Sequence, residues 1–331
     1  MWNLETDRVI KEIEKSNGKN IVFHAPEGLK LAVEKEIEKI NDYFNSTKNL
    51  IMWGAPCYGA CDLCDHELKY NNIDLIIHYG HEELPYAKPD IPTIFIHCYY
   101  IYDEIEQNNI LNKIDEYLQN NPNTIITTTI QFKELLKKYN PNIILGCRAN
   151  ISNKPKSELE QGTEKETENS KILYIGTGRF HPLMLCYKFK KSVNLFNPTS
   201  KEFSAISEEE VNKFIKKRIG AISKLLINPP KKIGVVLSTK KGQNRINVYN
   251  KIINLLKDNN IEYMPIILNN ASPDNLFYDV SAYIICACPR IVLDDYLNYN
   301  KTLLTPKEFE MYIKKDFEYV FDEILFDDFE P

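Results

Sequence analysis

Three successive rounds of short apolar strands and amphipathic helices predict an α/β protein of three similar parallel-sheet domains. The strands are apolar throughout rather than alternating, the pattern of strands covered on both faces, and the helices between them supply the cover. Each round also places a cysteine just beyond the carboxyl end of a strand: Cys61, Cys147 and Cys288. That edge is where open parallel sheets put their ligand sites. At 331 residues the chain exceeds what one hydrophobic core usually serves. The expected domains are 1–103, 104–206 and 207–331, with one of these cysteines in each. Three such cysteines could meet at a pseudo-threefold centre.

The elements follow in order. A helix over 9–14 stops at Ser16-Asn17-Gly18. Residues 20–24 read as a buried strand, 29–44 as a helix with Leu31, Val33, Ile37 and Ile40 inward, and 50–53 as a second strand. Apolar runs 74–79 and 93–97 complete the first sheet. In the second domain the pattern gives a helix over 105–119, a strand over 124–127, a helix over 132–139 and a strand over 142–147. The polar stretch 154–169 cannot bury enough surface to order itself and is expected to be a disordered surface insertion. Strand 171–176, helix 180–189 and strand 193–196 resume the sheet. The third domain opens with a helix over 208–226, ended by Asn228-Pro229-Pro230. Strand 232–237, helix 244–257, strand 261–268 and strand 279–286 follow, the last running into Ala287-Cys288-Pro289-Arg290. One more helix lies near Pro306, and the chain ends acidic.

Bulk properties narrow the function. An apolar fraction of 43% with 26% charged residues is that of a soluble globular protein. A net charge of −5 argues against nucleic acid as a direct partner, since phosphate binding needs a basic excess. The basic runs 188–191, 213–218 and 231–241 read as solvated helix ends and loops. The charged amphipathic start lacks a signal core, and no apolar run is long enough to span a bilayer, so a cytoplasmic protein without a membrane partner is expected. In that reducing compartment eight cysteines point to metal binding or catalysis rather than disulfides. No dinucleotide fingerprint, P-loop or zinc-protease helix is present.

The densest chemistry is Gly54-Ala-Pro-Cys57-Tyr-Gly59-Ala-Cys61-Asp-Leu-Cys64, directly after the second strand. It reads as a turn presenting thiolates, the soft ligands of zinc and iron–sulfur clusters. Two assignments follow. Locally, Cys57, Cys61 and Cys64 have the C-x3-C-x2-C spacing by which S-adenosylmethionine radical enzymes hold a [4Fe–4S] cluster in one loop. Alternatively the ligands are distributed, with one from this loop and the others far along the chain. Cys98, Cys186 and Cys286 lie within apolar patterns and are expected to be buried structural residues.

Six ordered signatures carry a family resemblance: Tyr58-Gly-Ala-Cys61-Asp62, His78-Tyr-Gly-His81, Leu145-Gly-Cys147, Phe180-His181 after Gly176-Thr-Gly-Arg, Ser238-Thr-Lys-Lys-Gly-Gln243, and Ala287-Cys288-Pro-Arg290 with Asp294-Asp295. From about residue 20 to residue 300 the chain resembles the archaeal diphthamide synthesis enzymes. That resemblance implies three domains, each giving one cysteine (Cys61, Cys147, Cys288) to a [4Fe–4S] cluster. It implies S-adenosylmethionine as co-substrate, transfer of its 3-amino-3-carboxypropyl group by radical chemistry to a histidine of translation elongation factor 2, a homodimer, and an external electron donor.

The remaining candidates are read residue by residue. Arg290 and Asp294 can hold an amino-acid zwitterion, guanidinium on carboxylate and carboxylate on ammonium, or form a plain surface ion pair. Gly59 and Gly80 permit close backbone approach or positive φ. His78, His81 and His181 could orient the methionine moiety, receive the substrate histidine, or be hydrogen-bonded core residues. Gln243, after a Lys-Lys-Gly turn, could contact the adenosine. Two rival functions remain at this stage: a conventional radical enzyme using Cys57, Cys61 and Cys64, and a non-catalytic metal-binding partner subunit.

Overall fold

A computed structural model describes residues 1–148 and 170–329; the insertion expected at 154–169 lies outside the described residues. Its contacts divide the described chain into two units. One holds residues 1–146, 170–177 and 196–203, the other 147–148, 178–195 and 204–329.

The first sheet contains β1 (Asn20–His24), β2 (Asn49–Met52), β3 (Leu75–Tyr79) and β4 (Thr93–Ile96). Their order is β2-β1-β3-β4, parallel throughout. Helices α1 (Thr6–Ser16) and α2 (Lys30–Tyr43) pack Val9, Ile13, Val33 and Ile40 onto Ile21, Phe23, Leu75 and Ile77. One expected core residue fails: Leu31 is 76% exposed, whereas Glu36 is buried. At 100° per residue Leu31 lies opposite Ile40, so the two cannot share the inner face.

The second sheet contains β5 (Thr124–Thr128), β6 (Asn142–Ile143), β7 (Lys171–Ile175), β8 (Val193–Asn197) and β9 (Glu202–Ile206). They run in the order β6-β5-β7-β8-β9, and β5 is parallel to both neighbours. Helix α3 (Glu104–Asn120) is capped by Asp103, which accepts from the Glu106 N–H. Its Ile110 and Ile114 pack on Ile126 and Leu173. The helix expected over 132–139 is instead two 3-10 turns, Ile130–Phe132 and Lys137–Tyr139. So short a segment forms few helical bonds for the cost of nucleation, and Asn140 at φ +47° ends it. The strand expected over 142–147 is likewise only Asn142–Ile143. Gly146 then takes φ +59°, turning the chain at the residue before Cys147. Strand β9 lies in a stretch with four exposed residues out of five, so no burial pattern announced it.

The third sheet contains β10 (Lys232–Ser238), β11 (Glu262–Leu268), β12 (Ala282–Cys286) and the short β13 (Thr302–Leu304), which the pattern also missed. Its order is β11-β10-β12-β13, again parallel. The later helices are α4 (Phe180–Phe189), α5 (Glu208–Ile227), α6 (Ile246–Asp258), α7 (Arg290–Leu293) and α8 (Pro306–Lys314). Ile222 and Leu225 of α5, Ile252 and Leu256 of α6, and Phe309 of α8 share a core with Ile233, Val235 and Ile284. Ser207 caps α5, and Thr305 with Glu308 forms a capping box on α8. The basic run 213–218 is not wholly solvated. Arg218 is buried and binds both carboxylate oxygens of Glu308 at 2.7 Å.

Candidate metal centre

At the carboxyl edge of the first sheet, His24 closes β1 and stands in register with His78 on β3. Their Nδ1 atoms are 3.0 Å apart, and His78 Nε2 is 3.0 Å from His81 Nδ1. His24 and His78 are fully buried, with the Trp53 ring edge-on to His24 and Phe95 tilted against His78. Burial holds His78 well below the ordinary imidazole range and lowers His81 to about 4, so these two rings are neutral near pH 7. Gly80, at φ +83°, bends the backbone between them, and its carbonyl accepts from Gln131 Nε2.

The cysteine loop lies beside this edge. The Tyr58 N–H donates to Asp62 at 3.2 Å and the Asp62 N–H to the Gly59 carbonyl at 3.0 Å, which closes the turn bearing Cys61. A methyl group on Gly59 would lie 3.6 Å from Cys61 Sγ and 3.9 Å from His81 Nε2. Both are ordinary van der Waals distances, so Gly59 lies within contact of the thiol and the imidazole. Cys61 is half-buried. Cys64 packs among Val22, Leu68 and Ile76. Burial pushes the Cys57 thiol up to about 12 and the Cys64 thiol higher still.

In the second unit, Cys147 and Cys288 come together from 141 residues apart, Sγ to Sγ 3.4 Å, and neither is in a disulfide. The hydrogen bond with Cys147 lowers the Cys288 thiol below its usual value against the effect of burial, and the Arg290 N–H and guanidinium act in the same direction. Arg290 Nε donates to Asp294 at 2.9 Å, and its guanidinium lies 3.9 Å from the centre of the Phe180 ring. His181 is next to that ring, 5.1 Å between centroids. Gln243 is buried at the end of the turn Lys241–Gln243. Cys98, Cys186 and Cys286 are buried, as the apolar pattern around each predicts, and burial raises all three thiols.

Several contributors escaped the sequence. Arg245 is buried and donates to Asp322 at 2.8 and 3.0 Å and to Asp328 at 2.8 Å. It also reaches the Ala287 carbonyl at 3.5 Å, one residue before Cys288. Arg148, the residue after Cys147, lies 4.1 Å from the centre of the Phe326 ring. The C-terminal segment that reads as an acidic end is thus a brace against both cysteine loops. No local signal pairs Arg245 with carboxylates 77 and 83 residues away. His24 had a usable signal, being the last residue of a buried strand.

Parallel α/β sheets with thiols and imidazoles at their carboxyl edges define a protein that presents soft ligands from several strand ends. The diphthamide synthesis protein family model matches residues 25–321, and the chain belongs to that family. It is 55% identical to the 2-(3-amino-3-carboxypropyl)histidine synthase of Methanocaldococcus jannaschii, over 99% of this chain and 95% of that one. The synthase of the same name from Pyrococcus horikoshii is 32% identical over 98% and 94%. The crystal structure of Dph2 from Pyrococcus horikoshii with a 4Fe-4S cluster matches at a TM-score of 0.78, with 30% identity, covering 98% of this chain and 95% of that one.

Proposed function

We propose that the chain is a 2-(3-amino-3-carboxypropyl)histidine synthase. It would transfer the 3-amino-3-carboxypropyl group of S-adenosylmethionine to a histidine of translation elongation factor 2, the first step of diphthamide biosynthesis. Cys61, Cys147 and Cys288 would hold a [4Fe–4S] cluster. The observation that carries this reading is the Cys147–Cys288 pair, unbridged and 3.4 Å apart at two loops that follow strands. A ligand set confined to Cys57, Cys61 and Cys64 leaves that pair without purpose and draws on Cys64, which is packed in an apolar cluster. The thiols present fit the donor type such clusters take. When bound by three thiolates, the cluster supplies an iron open to the methionine moiety and the electron that breaks its Cγ–S bond.

The chain's own residues bind and orient. Arg290 faces the carboxylate of the amino acid and Asp294 its ammonium, so the ligand's two charges extend an ion pair already formed at 2.9 Å. Phe180 supports the Arg290 guanidinium from one face. Gly59 lies beside Cys61, where its backbone can approach the ligand, and His78, enclosed between His24 and His81, acts through His81 rather than by touching the ligand. His181 faces the methionine moiety and Gln243 the adenosine. A homodimer, an electron-donating partner and a cytoplasmic location complete the proposal. Among the described residues no helix is long and apolar enough to cross a membrane.

The test is anaerobic incubation of the reduced protein with S-adenosylmethionine and elongation factor 2. The reading requires 5′-methylthioadenosine and a histidine heavier by one aminocarboxypropyl group. Formation of 5′-deoxyadenosine instead would return the conventional radical enzyme, and neither product would indicate a non-catalytic subunit.

A further inference from the structure

We propose that the carboxyl edge of the first sheet is a second metal site, in which His24, Cys57 and His78 hold one divalent cation of the zinc type. The sheet order β2-β1-β3 puts one donor after each of three adjacent parallel strands: Cys57 in the loop after β2, His24 at the end of β1, His78 on β3. The chain reverses its direction of winding between β1 and β3, the position where open parallel sheets bind ligands. One ligand atom from each residue lies within 4.8 Å of the other two, and all three residues are buried.

The geometry suits a small tetrahedral ion. Nitrogens held about 2.0–2.1 Å from a tetrahedral zinc stand roughly 3.3 Å from each other. His24 Nδ1 and His78 Nδ1 are 3.0 Å apart, so an ion between them needs only a slight opening. His78 is also held from behind, its Nε2 at 3.0 Å from His81 Nδ1. Metal-ligating histidines use their second nitrogen in this way to fix the ring. Two imidazoles and one thiolate are borderline-soft donors that suit zinc and not calcium or magnesium. Three protein donors also leave a fourth position open. The site shares no ligand with the cluster proposed above, which draws on Cys61 and not on Cys57.

Zinc and its X-ray absorption edge separate the two metals experimentally. The holoenzyme, with its iron content measured, is equilibrated with zinc sulfate and desalted. The proposal requires about one zinc per chain, with one sulfur at about 2.3 Å and two imidazole nitrogens at about 2.0–2.1 Å in its shell. Cys57→Ser should remove the sulfur, and both it and His24→Gln should weaken zinc binding at least tenfold, the lower end of what even outer-shell losses cost. Iron content should be unchanged in both variants, which also reports that they fold. Zinc retention equal to wild type in both variants would overturn the site, as would wild-type holoenzyme retaining no zinc. A two-sulfur shell would assign the zinc to other cysteines. Iron lost together with Cys57 would assign that residue to the cluster instead.

Discussion

The first sheet, β2-β1-β3-β4, and the last, β11-β10-β12-β13, are strung in the same order and are parallel throughout, yet their carboxyl edges carry opposite chemistry. In the first, buried histidines are held neutral and the Cys57 thiol is pushed up by burial. In the last, Cys288 is shifted toward its thiolate by Cys147 and Arg290, and Arg245 sits buried among carboxylates beside Ala287. Strand order decides where a crevice opens, and the side chains at the strand ends decide what it binds. One edge gathers imidazole and thiol donors that suit a cation, the other paired charges that favour the Cys288 thiolate and a zwitterionic ligand.

The sharpest way to break this comparison is to remove the charges on which the last region rests. Arg218→Met would leave Glu308 buried without its partner, at a cost of about 3–5 kcal/mol, read from denaturant unfolding. Adding Glu308→Leu should recover much of that loss. A cost below about 1 kcal/mol, the range of exposed pairs, would mean that this region is held by apolar packing alone.

A smaller effect separates two glycine turns. Gly146→Ala should cost about 1–2 kcal/mol, because its φ of +59° strains any residue with a Cβ while nothing crowds closer than 3.7 Å. Gly80→Ala should cost more, since its methyl would also press on Leu29 at 3.1 Å and Pro26 at 3.3 Å. Equal losses would show that the packing around Gly80 yields freely. Comparable in size, Arg290→Ala should weaken S-adenosylmethionine binding about tenfold, roughly 1.4 kcal/mol, while the cluster absorbance persists. Unchanged affinity would take Arg290 out of the ligand site.

What was legible in the sequence follows from the range of each signal. Apolar runs such as 20–24 and 282–286 report burial on both faces within a few residues, so the strands of the first sheet and all but β13 of the last emerged from pattern. Cys61, Cys147 and Cys288 were visible because each follows such a run. Leu31 was misplaced because a count of apolar residues ignores the angle at which each leaves the helix, and 132–139 because that segment is too short for periodicity to decide. The buried β13 is only three residues long, too short for an apolar run to stand out, and the exposed β9 had no burial pattern to read. The brace formed by Arg245, Asp322, Asp328, Arg148 and Phe326 depends on partners far along the chain. Burial of those charges is a tertiary fact that local composition reports with the wrong sign.

The distributed ligand set is the central claim, and Cys147→Ser tests it most directly because no second cysteine shares its loop. Serine's hydroxyl stays protonated near neutral pH and is a far poorer donor to iron than a thiolate. Iron, sulfide and 5′-methylthioadenosine formation are measured on anaerobic protein, with Cys64→Ser as the comparison. The account predicts that Cys147→Ser loses most of its S-adenosylmethionine cleavage together with part or all of its cluster, while Cys64→Ser keeps both. Wild-type iron and turnover in Cys147→Ser, with loss of both in Cys64→Ser, would contradict it and return the cluster to the single loop of Cys57, Cys61 and Cys64.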